Sequence, residues 1–162
     1  IKTVPLRGNV ETRIHKVLED EVCDATIMAA AGINRLGLQE NIKEIFDETY
    51  IVPPAGQGAL AIMTNKDSEY NDVIAKLNHE NTRIEALCEK TILETLGVGC
   101  QWPIGITSKV KGNNIDIHAK LLTPEGGLLS DIELTDKKDN AIDAAKEIGM
   151  KLKEESLWNR QM

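Results

Sequence analysis

Aromatic residues are scarce in this chain: two Trp, two Tyr and one Phe among 162 residues, so Leu, Ile, Val and Ala must fill any core. Cysteine is nearly as rare. Cys23, Cys88 and Cys100 are odd in number, far apart and without a CxxC pair, which speaks against a disulfide framework and against a zinc site. His15, His79 and His118 share no metal-ligand spacing, and the chain has neither a Ser/His/Asp grouping nor a dense acidic cluster. No apolar run approaches the roughly 18 to 20 residues that span a bilayer, and no signal-like apolar region opens the chain, so the expected setting is a reducing cytoplasm with no membrane partner. Positive charge is also in deficit. A formal charge of −7 and a pI near 5.0 exclude a general nucleic-acid binder, whose phosphate contacts need a broad excess of Lys and Arg.

What positive charge there is falls unevenly. Of five arginines, Arg7, Arg13 and Arg35 lie in the first 35 residues, at loop or helix-entry positions. In an acidic chain this local excess suits carboxylates or phosphates, because the planar guanidinium pairs with both oxygens of a carboxylate. Residues 1–6 read as a strand, Gly8 as a turn, and Asn9 as the cap of a helix carrying Val10, Ile14, Val17 and Leu18. A strand, a glycine turn and a helix start together make an anion seat, since unpaired backbone N–H groups face the loop. Surface arginines that only meet water are the plainer reading. The run 23–28, ending in Ala29-Ala30-Ala31-Gly32, fits a buried strand whose carboxyl end closes on a backbone or a ligand. Cys23 and Cys88 fit core positions.

Residues 38–50 predict a short amphipathic helix, and the segment from Val52 to Gly58, dense in Pro and Gly, predicts a hinge. Residues 59–63 read as a strand, and a helix capped by Ser68 runs to Leu77. A second helix, capped by Asn78 or Asn81, carries Ile84, Leu87, Cys88, Ile92 and Leu96 on one face. It leads into Leu96-Gly97-Val98-Gly99-Cys100-Gln101-Trp102-Pro103, where two glycines and a proline present a thiol on a loop between a helix and a strand. Such a place suits chemistry, although a free cysteine also serves as a small buried hydrophobe. From Ile104 the period becomes two: Ile104, Ile106 and Ser108 alternate, then Ile115, Ile117, Ala119 and Leu121, then a third strand ends near Leu134. This is a three-stranded antiparallel meander with His118 on its polar face. A last helix, 140–157, offers Ile142, Ala145, Gly149 and Leu152 to the sheet.

Taken in order, Arg7-Gly8-Asn9-Val10, Ala29-Ala30-Ala31-Gly32 with Arg35-Leu36-Gly37-Leu38, Gly56-Gln57-Gly58-Ala59-Leu60, Leu77-Asn78-His79 and Gly99-Cys100-Gln101 with Pro103-Ile104-Gly105 resemble the porphobilinogen deaminase family. The resemblance implies an α/β protein, α+β in its C-terminal part. A partial periplasmic-binding-protein-like α/β domain would be followed by a small domain with a three-stranded antiparallel sheet and helices. Residues 1–54 would be a partial second domain, 55–76 a hinge and crossover belonging to an absent first domain, and 77–162 the third domain. It implies a dipyrromethane cofactor on Cys100 through a thioether, with Arg7, Arg13 and Arg35 and backbone donors near Ala29 and Gly32 holding the acetate and propionate groups of the pyrroles. The implied partners are porphobilinogen, the growing oligopyrrole and the N-terminal domain, in a monomer. Because the family's catalytic aspartate belongs to the first domain, the chain alone is expected to be inactive and holds no catalytic residue. Two departures stand out: the usual Gly-Gly before the cysteine is Val98-Gly99, and Trp102 replaces a smaller residue. The competing readings are a noncatalytic α/β anion-binding module with a structural or redox-sensitive cysteine, and a pure interaction domain, which would need a large exposed apolar patch.

Overall fold

The computed structural model describes residues 1–97 and 102–158, so the loop containing Cys100 lies outside the described residues. The chain forms two compact units, Ile1–Phe46 and the remainder from Asp47 onward. The first holds two helices, α1 (Val10–Leu18) and α2 (Ala30–Arg35), with a single 3-10 turn at Gln39–Asn41. Asn9 caps α1 as its position predicts: its Oδ1 accepts from the Thr12 N–H at 2.8 Å and from the Thr12 hydroxyl at 2.7 Å. Gly8 precedes the cap at φ +135°, and a Cβ there would fall 2.7 Å from Thr12 Cγ2, so the turn requires glycine twice over. Of the hydrophobic residues in this unit only Ile33 is buried.

The second unit holds the core. After the short helix α3 (Asn71–Ala75) comes α4 (Glu80–Leu96), then strands β1 (Ile104–Lys111), β2 (Asn114–Leu122) and β3 (Leu128–Lys137), and finally α5 (Ala141–Trp158). The sheet is antiparallel in the order β1-β2-β3. Period-two alternation puts Ile106, Ile115, Ile117, Ala119 and Leu121 on one face, where Cys88, Ile92 and Leu96 of α4 and Ala144, Ala145, Ile148 and Leu152 of α5 cover them. Ends are set locally. His79, not Asn78 or Asn81, caps α4, its Nδ1 accepting from the Thr82 N–H, and Gly97 closes the helix in the left-handed region at φ +76°. The helices α4 and α5 touch closely at Gly149, where a Cβ would lie 2.6 Å from Thr95 Cβ and 3.0 Å from the Ile92 carbonyl oxygen.

Several expectations change. Residues 1–6, 23–28 and 59–63 read as strands but form none, because the only sheet among the described residues is the meander, and an unaccompanied strand leaves its backbone groups unpaired. Leu60 and Met63 are each 93% exposed. The helix expected over 38–50 shrinks to the 3-10 turn, with Ile45 and Phe46 exposed and offering no buried stripe to hold it. The helix expected from Ser68 to Leu77 keeps only α3, although Ser68 Oγ does accept from the Tyr70 N–H at 3.3 Å. Leu87 and Ile142 point outward, and His118 is buried.

The outer edge of β1 is closed by side chains and by a strap. Its outward N–H groups come at every second residue. Ile106 donates to the Pro53 carbonyl at 2.8 Å, Ser108 to Glu89 Oε1 at 2.8 Å and Val110 to Glu85 Oε1 at 2.8 Å. Glu89 Oε2 also accepts from the Gly56 N–H at 2.6 Å. Glu89 is only 8% exposed, and burial raises its carboxyl above the usual 4.5 against the opposing hydrogen bonds from Gly56 and Ser108. Gly105 completes the closure, because a Cβ there would collide with the Val52 carbonyl oxygen.

Two outcomes follow from this packing. Gly149→Ala, which in an open helix gains about 1 kcal/mol, is expected here to lose about 1–3 kcal/mol by overpacking, measured by denaturant unfolding. Glu89, whose folded carboxyl binds its proton more tightly than the unfolded one, adds stability at acid pH that is lost as pH rises from the ordinary glutamate range upward. Glu89→Gln should therefore abolish that part of the pH dependence; melting curves from pH 4 to 8 with the same slope as the parent would overturn the assignment.

Candidate functional site

The five anion-site residues expected from sequence all fall in the first unit, on α1, α2 and the turns before them. The sequence puts Arg7 just before the Gly8 turn, where the chain must reverse to reach the Asn9 cap. Its side chain is exposed and has no hydrogen-bond or ion-pair partner among the described residues, while its carbonyl oxygen accepts from Lys16 Nζ at 2.9 Å. Arg13 follows one turn into α1 and is half-buried. Its Nε–H donates to the Gly8 carbonyl oxygen at 2.9 Å, so this guanidinium folds back over the turn. Arg7, Arg13 and the backbone at Gly8 thus share one helix entrance.

The other three belong to α2 and its entry. Ala29 is its extended N-cap residue and is exposed, with no side chain able to cap, which leaves the first turn to other donors and acceptors. Gly32 closes that turn through its own N–H on the Ala29 carbonyl oxygen at 3.0 Å. Of the expected backbone pair, Gly32 therefore shapes the turn with its N–H already engaged. It also brings the two helices together: a Cβ at Gly32 would stand 3.3 Å from Val10 Cγ2, at the first residue of α1. The small residues ending the stretch 23–32 are what allow α2 to approach the start of α1. Arg35 ends α2, exposed and without a hydrogen-bond or ion-pair partner among the described residues, near the helix's negative end. Two uncommitted guanidiniums and one folded over a glycine turn can bind oxygen anions at little desolvation cost.

The cysteines divide. Cys23 is partly exposed and lies in the first unit, outside any strand. Cys88 is fully buried in α4, and its thiol is pushed up to about 12, mainly by burial and further by the neighbouring Glu89 carboxylate. It is held as an unreactive thiol. Cys100 lies outside the described residues, in the interval between the end of α4 and the start of β1. Among the described residues no group of three or more His, Cys, Asp and Glu could hold a metal, and no helix is long and apolar enough to cross a membrane.

Two polar arrangements escaped the sequence reading. The first is the closure of β1 by Glu85, Glu89 and Ser108. It borders a cavity of about 250 Å³ reached by Glu48, Gln57, Thr82 and Lys109, on which none of the expected anion-site residues lies. The signal was present: Ser108 falls on the inward register of β1, and Glu89 follows Cys88 on the buried side of α4. The second is on β2. His118 Nε2–H donates to Asp131 Oδ1 at 2.7 Å, and Lys120 Nζ pairs with Asp131 Oδ2 at 3.0 Å, while His118 Nδ1 is buried without a partner among the described residues. Its place on the central strand, opposite Glu133 and beside Asp131 on β3, buries a residue that alternation alone assigns to the polar face.

Comparison with known proteins matches both parts of the chain. Residues 1–72 match the family model described as "Porphobilinogen deaminase, dipyromethane cofactor binding domain", and residues 83–157 match "Porphobilinogen deaminase, C-terminal domain". A probable porphobilinogen deaminase of Methanothermobacter thermautotrophicus is 46% identical over 151 residues, covering 91% of this chain and 52% of that protein. The porphobilinogen deaminase of Sulfurimonas denitrificans is 45% identical over 138 residues, 83% of this chain and 44% of that protein. That of Campylobacter concisus is 39% identical over 155 residues, 93% and 49% respectively. The chain spans about half the length of the curated relatives it matches. With two consecutive domains of one family along nearly its whole length, and the ordered motifs from Arg7 to Gly105 within them, the chain belongs to the porphobilinogen deaminase family.

Proposed function

We propose that the protein is a porphobilinogen deaminase, that is, a hydroxymethylbilane synthase, and that this chain supplies its cofactor-binding and C-terminal portions. The observation that carries the reading is the order of the two family domains, 1–72 and then 83–157, in a chain whose uncommitted arginines among the described residues lie in the first. In this reading residues 1–54 belong to a periplasmic-binding-protein-like second domain, 55–76 cross toward a first domain, and 77–162 form the third. The enzyme works in the cytoplasm as a monomer, and the 162-residue portion is inactive without the first domain, which carries the catalytic aspartate.

The donor set of the first unit fits the cofactor's chemistry. Each pyrrole carries an acetate and a propionate, and the exposed guanidiniums of Arg7 and Arg35 have room for carboxylate oxygens in the bidentate geometry that favours Arg over Lys. Arg13, already bonded to Gly8, holds the turn at the mouth of the site and adds charge to it. The first turn of α2, beginning at Ala29 and closed by Gly32, brings backbone dipoles of the right sign for a carboxylate. Dipyrromethane, when bound through a thioether to Cys100, supplies the primer onto which four porphobilinogen units condense with loss of ammonia before water releases hydroxymethylbilane. The chain's own residues bind and orient: the arginines neutralise carboxylates as they accumulate, and the sulfur anchors without turning over.

Intact-mass analysis of the full-length protein is expected to show a covalent dipyrromethane adduct that is lost in Cys100→Ser; an adduct surviving that substitution would place the attachment elsewhere. Arg7→Ala and Arg35→Ala in the full-length enzyme should lower kcat/KM by roughly tenfold to a hundredfold, the worth of one charge-assisted hydrogen bond, while melting stays within about 0.5 kcal/mol of the parent. Unchanged kinetics in both variants would count against the anion seat.

A further inference from the structure

Between the arginine-bearing unit and the C-terminal domain runs a strap. Residues 52–56 fall within the cofactor-binding family domain, yet they are docked on the outer edge of β1, inside the C-terminal one. Three observations describe the docking. The Pro53 carbonyl accepts from the Ile106 N–H at 2.8 Å, the Gly56 N–H donates to Glu89 Oε2 at 2.6 Å, and Gly105 leaves space that Val52 fills. Glu89 is the member that reaches both sides, because its other oxygen accepts from the N–H and hydroxyl of Ser108 on β1, at 2.8 and 3.0 Å. A buried carboxylate with three donors on two separate segments acts as a staple.

We infer that Glu89 is a positioning residue which staples the 52–56 strap to the C-terminal domain and thereby keeps the tether between the anion-binding unit and the cysteine-bearing domain short. With the strap docked, the tether leaving the first unit is residues 47–51. Released, the chain would next be fixed to the C-terminal domain only at α4, so the connection would lengthen to 47–79 and run by way of the 55–76 segment assigned above to the first domain. A connection routed through another domain no longer holds its two ends near one another, so the effective concentration of one partner about the other falls. This inference rests on the proposal that the arginines serve pyrrole carboxylates of a cofactor held on Cys100.

The test uses the full-length enzyme, with Glu89→Leu, the milder Glu89→Gln, and Ile148→Val as a control that trims the core without touching the strap. Hydrogen exchange of the amides of residues 52–58 and the rate of cofactor loading from porphobilinogen, followed by intact mass, are read together. The expected result is faster exchange in 52–58 with β2 and β3 unchanged, and loading slowed severalfold in Glu89→Leu, less in Glu89→Gln, and not in Ile148→Val. Exchange equal to the parent, or loading slowed equally by Ile148→Val, overturns the staple. Parent protein lacking an adduct on Cys100 would instead sink the cofactor assignment, and the exchange data would still judge the staple.

Discussion

A single buried carboxylate settles the arrangement of the second unit. An edge strand presents a row of unpaired N–H groups, and burying any of them without an acceptor costs about 1–3 kcal/mol apiece. In this chain Glu89 and Glu85 of α4 supply two of the acceptors and Pro53 a third, so that helix, strand edge and strap are satisfied by one set of hydrogen bonds. Burial opposes ionisation of Glu89, and the donors from Gly56 and Ser108 oppose that in turn. The balance explains why a glutamate is tolerated among Cys88, Ile92 and Leu96.

The remainder of the second unit follows from ordinary packing around that closure. Apolar alternation fills one face of the meander, and α4 and α5 cover it, brought to close range by the absence of a side chain at Gly149. The first unit is built differently. One buried hydrophobic residue, a capped helix and a six-residue helix hold its shape, and its arginines are spent on little inside the chain. The exposed guanidiniums of Arg7 and Arg35 leave this unit able to take up negative charge at little desolvation cost.

Local signals were legible in the sequence. The cap at Asn9, the length of α4 and α5, and the three strands with their turns each depend on neighbours a few residues away, and each appears where the pattern places it. Strands that depend on a distant partner were not. The stretch 59–63 has the composition of a strand, but composition does not provide the adjacent chain to which its backbone could bond. Register explains the polar residues that were misplaced or overlooked: His118 is buried by cross-strand neighbours, and Glu89 by a strap that lies 33 residues earlier. The arginines of the first unit were legible as a local excess in an acidic chain, whereas Arg13's bond to Gly8 became visible only in three dimensions.

Cys88 shows how a thiol in the helix that precedes the proposed anchor is kept from competing with it. Burial pushes the Cys88 thiol up to about 12, so at neutral pH almost none of it is thiolate and electrophiles find little to attack. A helix that runs straight into a loop bearing the proposed anchor can therefore carry a cysteine in its interior without inviting misplaced alkylation. Where Cys88 is stored is enough to exclude it from such chemistry, with no recognition of the sulfur required.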